Sequence, residues 1–385
     1  MNALLLGMGE PVGDTLPRLA AYAERMEGRI HYVTYTSRGS RLGPQVFGGR
    51  VHVHPTRSRS HLHYFRDAAA IVRDEARRFT PDVVYAQDPF GTALVGLWVR
   101  RRYGTPLVIG NHSNFLENPG WVGERPLYFR LLHRVAEFVL PRADAWRVVN
   151  PVQRDVYVER LGIPRARVTV LGTPTDVRRF AEPQPERAAA LREQLGIPAD
   201  APVMLWVGRP VPVKRLPVLV EAFGHVAARH PRARLLVVGK RAPDADDVGA
   251  LQAAAADPRV IWLQDGVPHA ELPAYYQLST VYTHTSVYEG LSKVMLEAAA
   301  AGLPIVTTAV PGQEIVRDGE TGFVTPVDDP RALAERVISL FDDPETALRM
   351  GGNGQRRVLE TFDRDRGIDA FIQMLRRAAR PDQGD

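Results

Sequence analysis

Short apolar runs alternate with amphipathic stretches along the whole of this chain, and the alternation runs through two successive series. In the first, runs at residues 3–7, 30–36, 51–54, 83–86, 107–110, 147–150 and 168–172 are separated by stretches of helical spacing such as 62–79 and 91–102. In the second, the runs lie at 203–207, 235–238, 261–263, 281–285, 305–308 and 323–325. Strand–helix alternation of this kind specifies a mostly parallel, doubly wound sheet, so each series predicts one α/β domain. Between them lies AEPQPERAAALREQLGIPADAP, polar and broken by Pro183, Pro185, Pro198 and Pro202, which is the expected connection. The predicted domains are 1–180 and 200–362. The amphipathic stretch 363–380, which ends in basic residues, forms a terminal helix.

At 385 residues the chain is too long for one ordinary core, which agrees with two domains. It has no cysteine, which excludes disulfides, cysteine-ligated zinc and a cysteine nucleophile. The opening MNALLLGMGEPVGDTLPRL reads as a first strand and not a signal peptide, and no apolar run is long enough to span a bilayer. A cytoplasmic protein is expected, with peripheral association at the inner face of a membrane as its membrane option. Residues 1–172 carry 24 Lys+Arg against 15 Asp+Glu, a net of +9, and the remainder carries −4. A basic first half suits an anionic surface or acceptor. No nucleic-acid module accompanies the charge, so no nucleic-acid partner is expected. Only Lys214, Lys240 and Lys293 are lysines, against 46 arginines. So strong a bias suggests that lysine is kept where a compact ammonium does what a planar fork cannot.

Residues 281–311, VYTHTSVYEGLSKVMLEAAAAGLPIVTTAVP, read as a βαβ unit. Ser292 is an N-cap candidate, and Gly302 and Pro304 stop the helix and begin the next strand. Ligands in such sheets bind beyond the carboxyl ends of the strands, where a helix N-terminus favours an anion. Glu289 and Glu297 stand around that opening.

The E-G-L-S-K-V-M-L-E-A pattern followed by A-G-L-P-I-V resembles the E-x7-E signature of the family-4 glycosyltransferases, retaining enzymes of the GT-B fold with two Rossmann-like domains facing across a cleft. The resemblance is continuous over about 203–326 and covers only scattered strand ends of the first domain. It implies that Glu289 contacts the transferred sugar and Glu297 the ribose of a nucleotide, while the backbone of Gly290, Leu291 and Ser292 holds sugar or diphosphate. Arg209 and Lys214, in VGRPVPVK, match the cations that face the departing diphosphate; the family's Gly after this Lys is here Arg215. Gly239 with Lys240, and Gly266 with Val267, match the strand ends that flank the base. His112 matches the histidine near the sugar. In the first domain Gln87 replaces another usual histidine, which leaves Asp88 and Gln87 to acceptor contact.

The turn G-M-G-E-P-V-G at 7–13 nearly matches a dinucleotide fingerprint, but it has one residue too many before its third glycine and a proline inside, and no acidic residue ends the strand at 36. Gly9 and Gly13 are read instead as a loop near the diphosphate or acceptor, and no NAD site or other cofactor is expected. His52, His54, His61 and His63 form two H-x-H pairs without a carboxylate at a spacing that completes a metal site, so they are read as a basic surface. Asp244-Ala245-Asp246 reads as a solvated acidic turn, and no bound metal is expected. The resulting expectation is a retaining glycosyltransferase that moves a sugar from a nucleoside diphosphate sugar to a hydroxyl acceptor, with a lipid-linked glycan at an anionic membrane surface as one acceptor class. The stretch 121–140, apolar and arginine-bearing, suits such a surface. A same-fold epimerase or hydrolase, and a silent nucleotide-sugar-binding module, are the rival readings.

Overall fold

The structure, a computed structural model, describes residues 1–11, 13–113, 115–116, 126–241 and 249–380. The chain forms two compact units, Met1–Thr173 with Asp365–Asp385, and Pro174–Arg364.

The first unit is built on β1 (Ala3–Met8), β2 (Ile30–Tyr35), β3 (Gln45–Phe47), β4 (Val51–Pro55), β5 (Val83–Ala86), β6 (Leu107–Gly110), β7 (Ala145–Val148) and β8 (Val168–Val170). They form one sheet in the order β3-β4-β2-β1-β5-β6-β7-β8, parallel except for the β3–β4 pair. Alternation along β1 sends Leu4 and Leu6 to one face and Ala3 and Leu5 to the other. Helices Tyr64–Glu75, Gly91–Tyr103 and Pro126–Val139 cover the first face. Helices Thr15–Arg25 and Arg364–Ala379 cover the second, where Tyr22 and Phe371 stack at 4.5 Å and Arg25 pairs with Asp369 at 2.5 Å. Strand β7 ends earlier than the expected 147–150, because Asn150 caps the next helix, its Oδ1 accepting from the Gln153 N–H at 2.9 Å. Strand β3, mostly exposed, carries no apolar alternation to announce it.

In the second unit, β9 (Val203–Val207), β10 (Arg234–Val238), β11 (Val260–Leu263), β12 (Val281–His284), β13 (Ile305–Thr308) and β14 (Gly322–Thr325) form an all-parallel sheet in the order β11-β10-β9-β12-β13-β14. This is the doubly wound order, and its switch point lies between β9 and β12. Helices Leu216–Arg229 and Pro330–Asp342 bury against Met204 and Trp206; helices Leu272–Gln277 and Lys293–Ala300 bury against Leu205 and Val207. The segment expected to connect the domains is part of this unit. It contains helix Pro185–Gln194, whose Ala188 and Leu191 join the same core as the fully buried Phe180, and the chain passes between units at Thr173–Pro174.

Candidate active site

At the switch point of the second sheet the loops after β9, β10, β11 and β12 enclose a pocket of about 510 Å³. That is the size range of small-molecule sites. Its wall holds Gly208, Arg209, Lys214, Gly239, Lys240, Gly266, Val267, Glu289, Leu291 and Ser292, so the sequence-predicted residues of this unit meet there, apart from Gly290 and Glu297. All three lysines of the chain, Lys214, Lys240 and Lys293, line it. The pocket forms because backbones approach closely: a Cβ on Gly239 would lie 2.2 Å from the Gly208 carbonyl oxygen.

Lys214 ends a short 3-10 turn, Pro212–Lys214, that is pinned to the end of β12. Thr285 Oγ1 donates to the Lys214 carbonyl at 2.6 Å, and the Val287 N–H donates to the Val213 carbonyl at 3.0 Å. The Lys214 ammonium donates to Glu289 Oε1. The same oxygen receives His284 Nε2 at 2.9 Å and Ser286 Oγ at 2.8 Å. Burial pushes the Glu289 carboxyl up, but the His284 hydrogen bond and the Lys214 ammonium outweigh it and hold the group at about 2. His284 is fully enclosed, and burial drives its pKa below the ordinary value, which leaves a neutral ring as donor. Arg209 and Lys240 are exposed at the wall and pair with no carboxylate among the described residues.

Ser292 occupies the N-cap of helix Lys293–Ala300, yet its side chain makes no capping bond. Its Oγ is buried without a hydrogen-bond partner among the described residues. An orphaned hydroxyl at an uncapped helix start beside a pocket rich in cations suits an incoming oxyanion. Gly290 is buried, and its carbonyl oxygen packs against Gly312, whose φ of +92° and 2.5 Å Cβ-to-oxygen clearance admit no side chain. Glu297 lies away from the pocket wall: Tyr276 OH donates to its Oε2 at 3.0 Å, and His269 Nε2 lies 2.7 Å from its Oε1. The His269 ring is itself held by the Arg179 guanidinium. His284, Ser286, Gly312, Tyr276 and His269 are the residues sequence reasoning missed. Only the H-x-S spacing at a strand end, and Pro311-Gly312 after β13, left a trace.

In the first unit the predicted residues follow the ends of β1, β5 and β6, the first two of which flank that sheet's switch point. Gly9 and Gly13 follow β1 with φ of +105° and +57°, and Thr34 Oγ1 donates to the Gly9 carbonyl at 2.5 Å. Asp88 follows β5; its Oδ1 accepts from the Phe90 N–H at 2.8 Å, while Oδ2 is buried without a partner among the described residues and burial raises its pKa. His112 is exposed beyond β6. Asp244–Asp246 and 121–125 lie outside the described residues. The rest of the stretch 121–140 is mostly helix Pro126–Val139, with Leu127, Tyr128, Leu131 and Phe138 exposed beside exposed Arg130 and Arg134. No helix among the described residues is long and apolar enough to cross a membrane.

Two doubly wound units with a nucleotide-sized basic pocket define a GT-B protein, and the chain belongs to the family-4 glycosyltransferases. Residues 14–179 match the family described as Glycosyltransferase Family 4, and residues 188–357 that described as Glycosyl transferases group 1. Its relatives include the D-inositol 3-phosphate glycosyltransferase of Kineococcus radiotolerans, 32% identical over 62% of this chain and 58% of the relative. Another is the GDP-mannose-dependent alpha-(1-6)-phosphatidylinositol monomannoside mannosyltransferase of Mycolicibacterium smegmatis, 31% identical over 71% of each chain. The match thus spans less than two thirds of the first relative's length. The fold is that of sucrose-phosphate synthase from Thermosynechococcus elongatus (TM-score 0.82, 22% identity, 98% of both chains). Anabaena Alr3699/HepE in complex with UDP and glucose shares it as well (TM-score 0.78, 21% identity, 98% of this chain and 99% of that one).

Proposed function

We propose that the protein is a retaining glycosyltransferase that moves a sugar from a nucleoside diphosphate to an acceptor hydroxyl. The charge of the second unit's pocket carries this reading: Arg209, Lys214, Lys240 and Lys293 line it, against Glu289 as the one carboxylate in its wall among the described residues. Negative charge grows on a departing diphosphate as the sugar bond breaks, and preorganised cations stabilise that charge more in the transition state than in the ground state. Four side-chain cations supply what a divalent ion would otherwise supply, so the transfer runs without a bound metal.

In the proposed step the anomeric carbon–phosphate oxygen bond breaks while the acceptor oxygen bonds to the same face of that carbon. The acceptor's proton passes to the leaving phosphate oxygen, so no protein base is assigned. Glu289, ionised and held by Lys214, His284 and Ser286, orients the sugar hydroxyls. Ser292 and the helix start behind it bind the diphosphate. Glu297 takes the ribose diol once His269 moves aside, and main chain near Gly239 and Gly266 meets the base. Gly9, Gly13, Asp88 and His112 serve the acceptor side. The basic first half and the relatives named for inositol 3-phosphate and phosphatidylinositol mannoside favour an acceptor that carries phosphate. The exposed Leu127, Tyr128 and Leu131 between arginines favour presentation at an anionic membrane surface.

The test is product analysis with UDP-glucose and GDP-mannose and a panel of free and phosphorylated polyol acceptors, reading the anomeric configuration by NMR. A glycoside with the donor's configuration supports the proposal. An inverted product, an epimerised nucleotide sugar, or sugar released only to water contradicts it.

A further inference from the structure

Strands β2 and β4 pair in parallel with His31 beside His52 and Val33 beside His54, which puts three imidazoles next to one another. Helix Tyr64–Glu75 packs over this part of the sheet and ends in Glu75. His31 Nδ1 lies 3.2 Å from His54 Nε2 and 3.2 Å from Glu75 Oε2, and the three atoms all fall within 4.8 Å of one another. Among the described residues no other three histidine, cysteine or carboxylate side chains converge in this way.

If Nδ1 of His31 carries a proton, two acceptors compete for it; if it carries a lone pair, that lone pair faces a carboxylate. A single cation at the centre bonds all three atoms. With zinc–nitrogen bonds of about 2.0–2.1 Å, neighbouring ligand atoms of a tetrahedral site lie about 3.3 Å apart, which the two separations from Nδ1 match. The third edge is wider and closes by rotation of the long Glu75 side chain.

We infer that His31, His54 and Glu75 form a zinc site that fastens helix Tyr64–Glu75 to β2 and β4. Two imidazoles and a carboxylate are a zinc donor set. The His31 ring is preset by stacking on Phe79 at 3.7 Å and on His52 at 4.6 Å. The site lies wholly within the first unit and does not rest on the transferase reading.

The test uses the full, tag-free chain stripped with chelator, titrated with zinc against a chromophoric chelator, and melted with and without zinc. One zinc per chain and a raised melting temperature are expected for the wild type. Glu75→Gln and His54→Ala should each bind at least about tenfold more weakly and melt at a temperature indifferent to zinc. His61→Ala, in the other H-x-H pair, should bind like the wild type. No uptake by the wild type, or uptake unchanged in both variants, overturns the site. Should a variant fail to fold, cobalt bound to the wild type decides: the intense visible bands of a four-coordinate ion support the site, and a weak octahedral spectrum overturns it.

Discussion

The ammonium of Lys214 donates to Oε1 of Glu289 across 75 positions of sequence, so the two groups to which the proposed function gives the diphosphate and the sugar are held by each other. Neither group has to be ordered when a donor arrives. Glu289→Ala should therefore lower turnover by at least about a hundredfold, on the scale of losing one preorganised charged group. Affinity for the nucleoside diphosphate should stay within a few fold, because Arg209, Lys214 and Lys240 all persist. Steady-state kinetics beside calorimetry would show it, and turnover like the wild type's would remove Glu289 from the chemistry.

Acid stability follows from the same cluster. The folded-state pKa of Glu289 is about 2, below its ordinary 4.5, so the stability it contributes is present above pH 4.5 and is lost as pH falls towards 2. His284 adds a loss of the same sign that begins below 6.5, because burial lowers its folded pKa and the unfolded chain takes up the proton first. The Glu289 contribution is on the order of 3 kcal/mol. Urea midpoints at pH 7, 5 and 3 should fall steadily for the wild type. Between pH 5 and 3 the fall should be shallower in Glu289→Gln, and an identical slope there would contradict the assignment.

Gly312 is a tight position behind the site. An added methyl would lie 2.5 Å from the Gly290 carbonyl oxygen and 3.2 Å from Glu289 Cβ, at a φ of +92° that side chains avoid. Gly312→Ala should cost roughly 1–3 kcal/mol of stability. It should also cut turnover at least about tenfold, since the Glu289–Gly290 backbone has to yield. Thermal melts and kinetics on the same preparation separate the two effects, and a variant unchanged in both would show the loop to be slack.

How much of this was legible follows from sequence distance. The ends of β9 and β10 could be read because each is a compact apolar run followed by glycine and then charge. The helix start at Ser292 could be placed, although not the fact that its hydroxyl has no hydrogen-bond partner among the described residues. The pairs that tune the site join residues far apart in the chain, such as Lys214 with Glu289 and Tyr276 with Glu297, and no local pattern announces them. Arg215 shows the reverse case. The family's glycine at this position is explained by the structure, where Arg215 adopts φ +50° and ψ +50°, a left-handed conformation, and bonds Asp328 at 2.6 Å. Arg215→Gly relieves that backbone but loses an exposed ion pair, so its stability should stay within about 1 kcal/mol of the wild type.

His269 covers a carboxylate that the proposed function needs. Its ring is bonded to Glu297, and the Glu297 side chain is 3% exposed. If a ribose diol must displace that ring, His269→Ala should raise nucleoside diphosphate affinity by about three- to tenfold, the worth of one competing hydrogen bond. Weaker binding in the variant would make His269 a contact of the donor and not its competitor.

The most direct measurement is calorimetry of UDP, GDP, ADP and NAD with the purified chain in chelator-containing buffer, on the wild type and on Arg209→Ala and Lys214→Ala. The basic pocket predicts that at least one nucleoside diphosphate binds, that NAD does not, and that each substitution weakens binding by about ten- to a hundredfold. Binding of NAD alone, no binding at all, or affinity unchanged in both variants would contradict it.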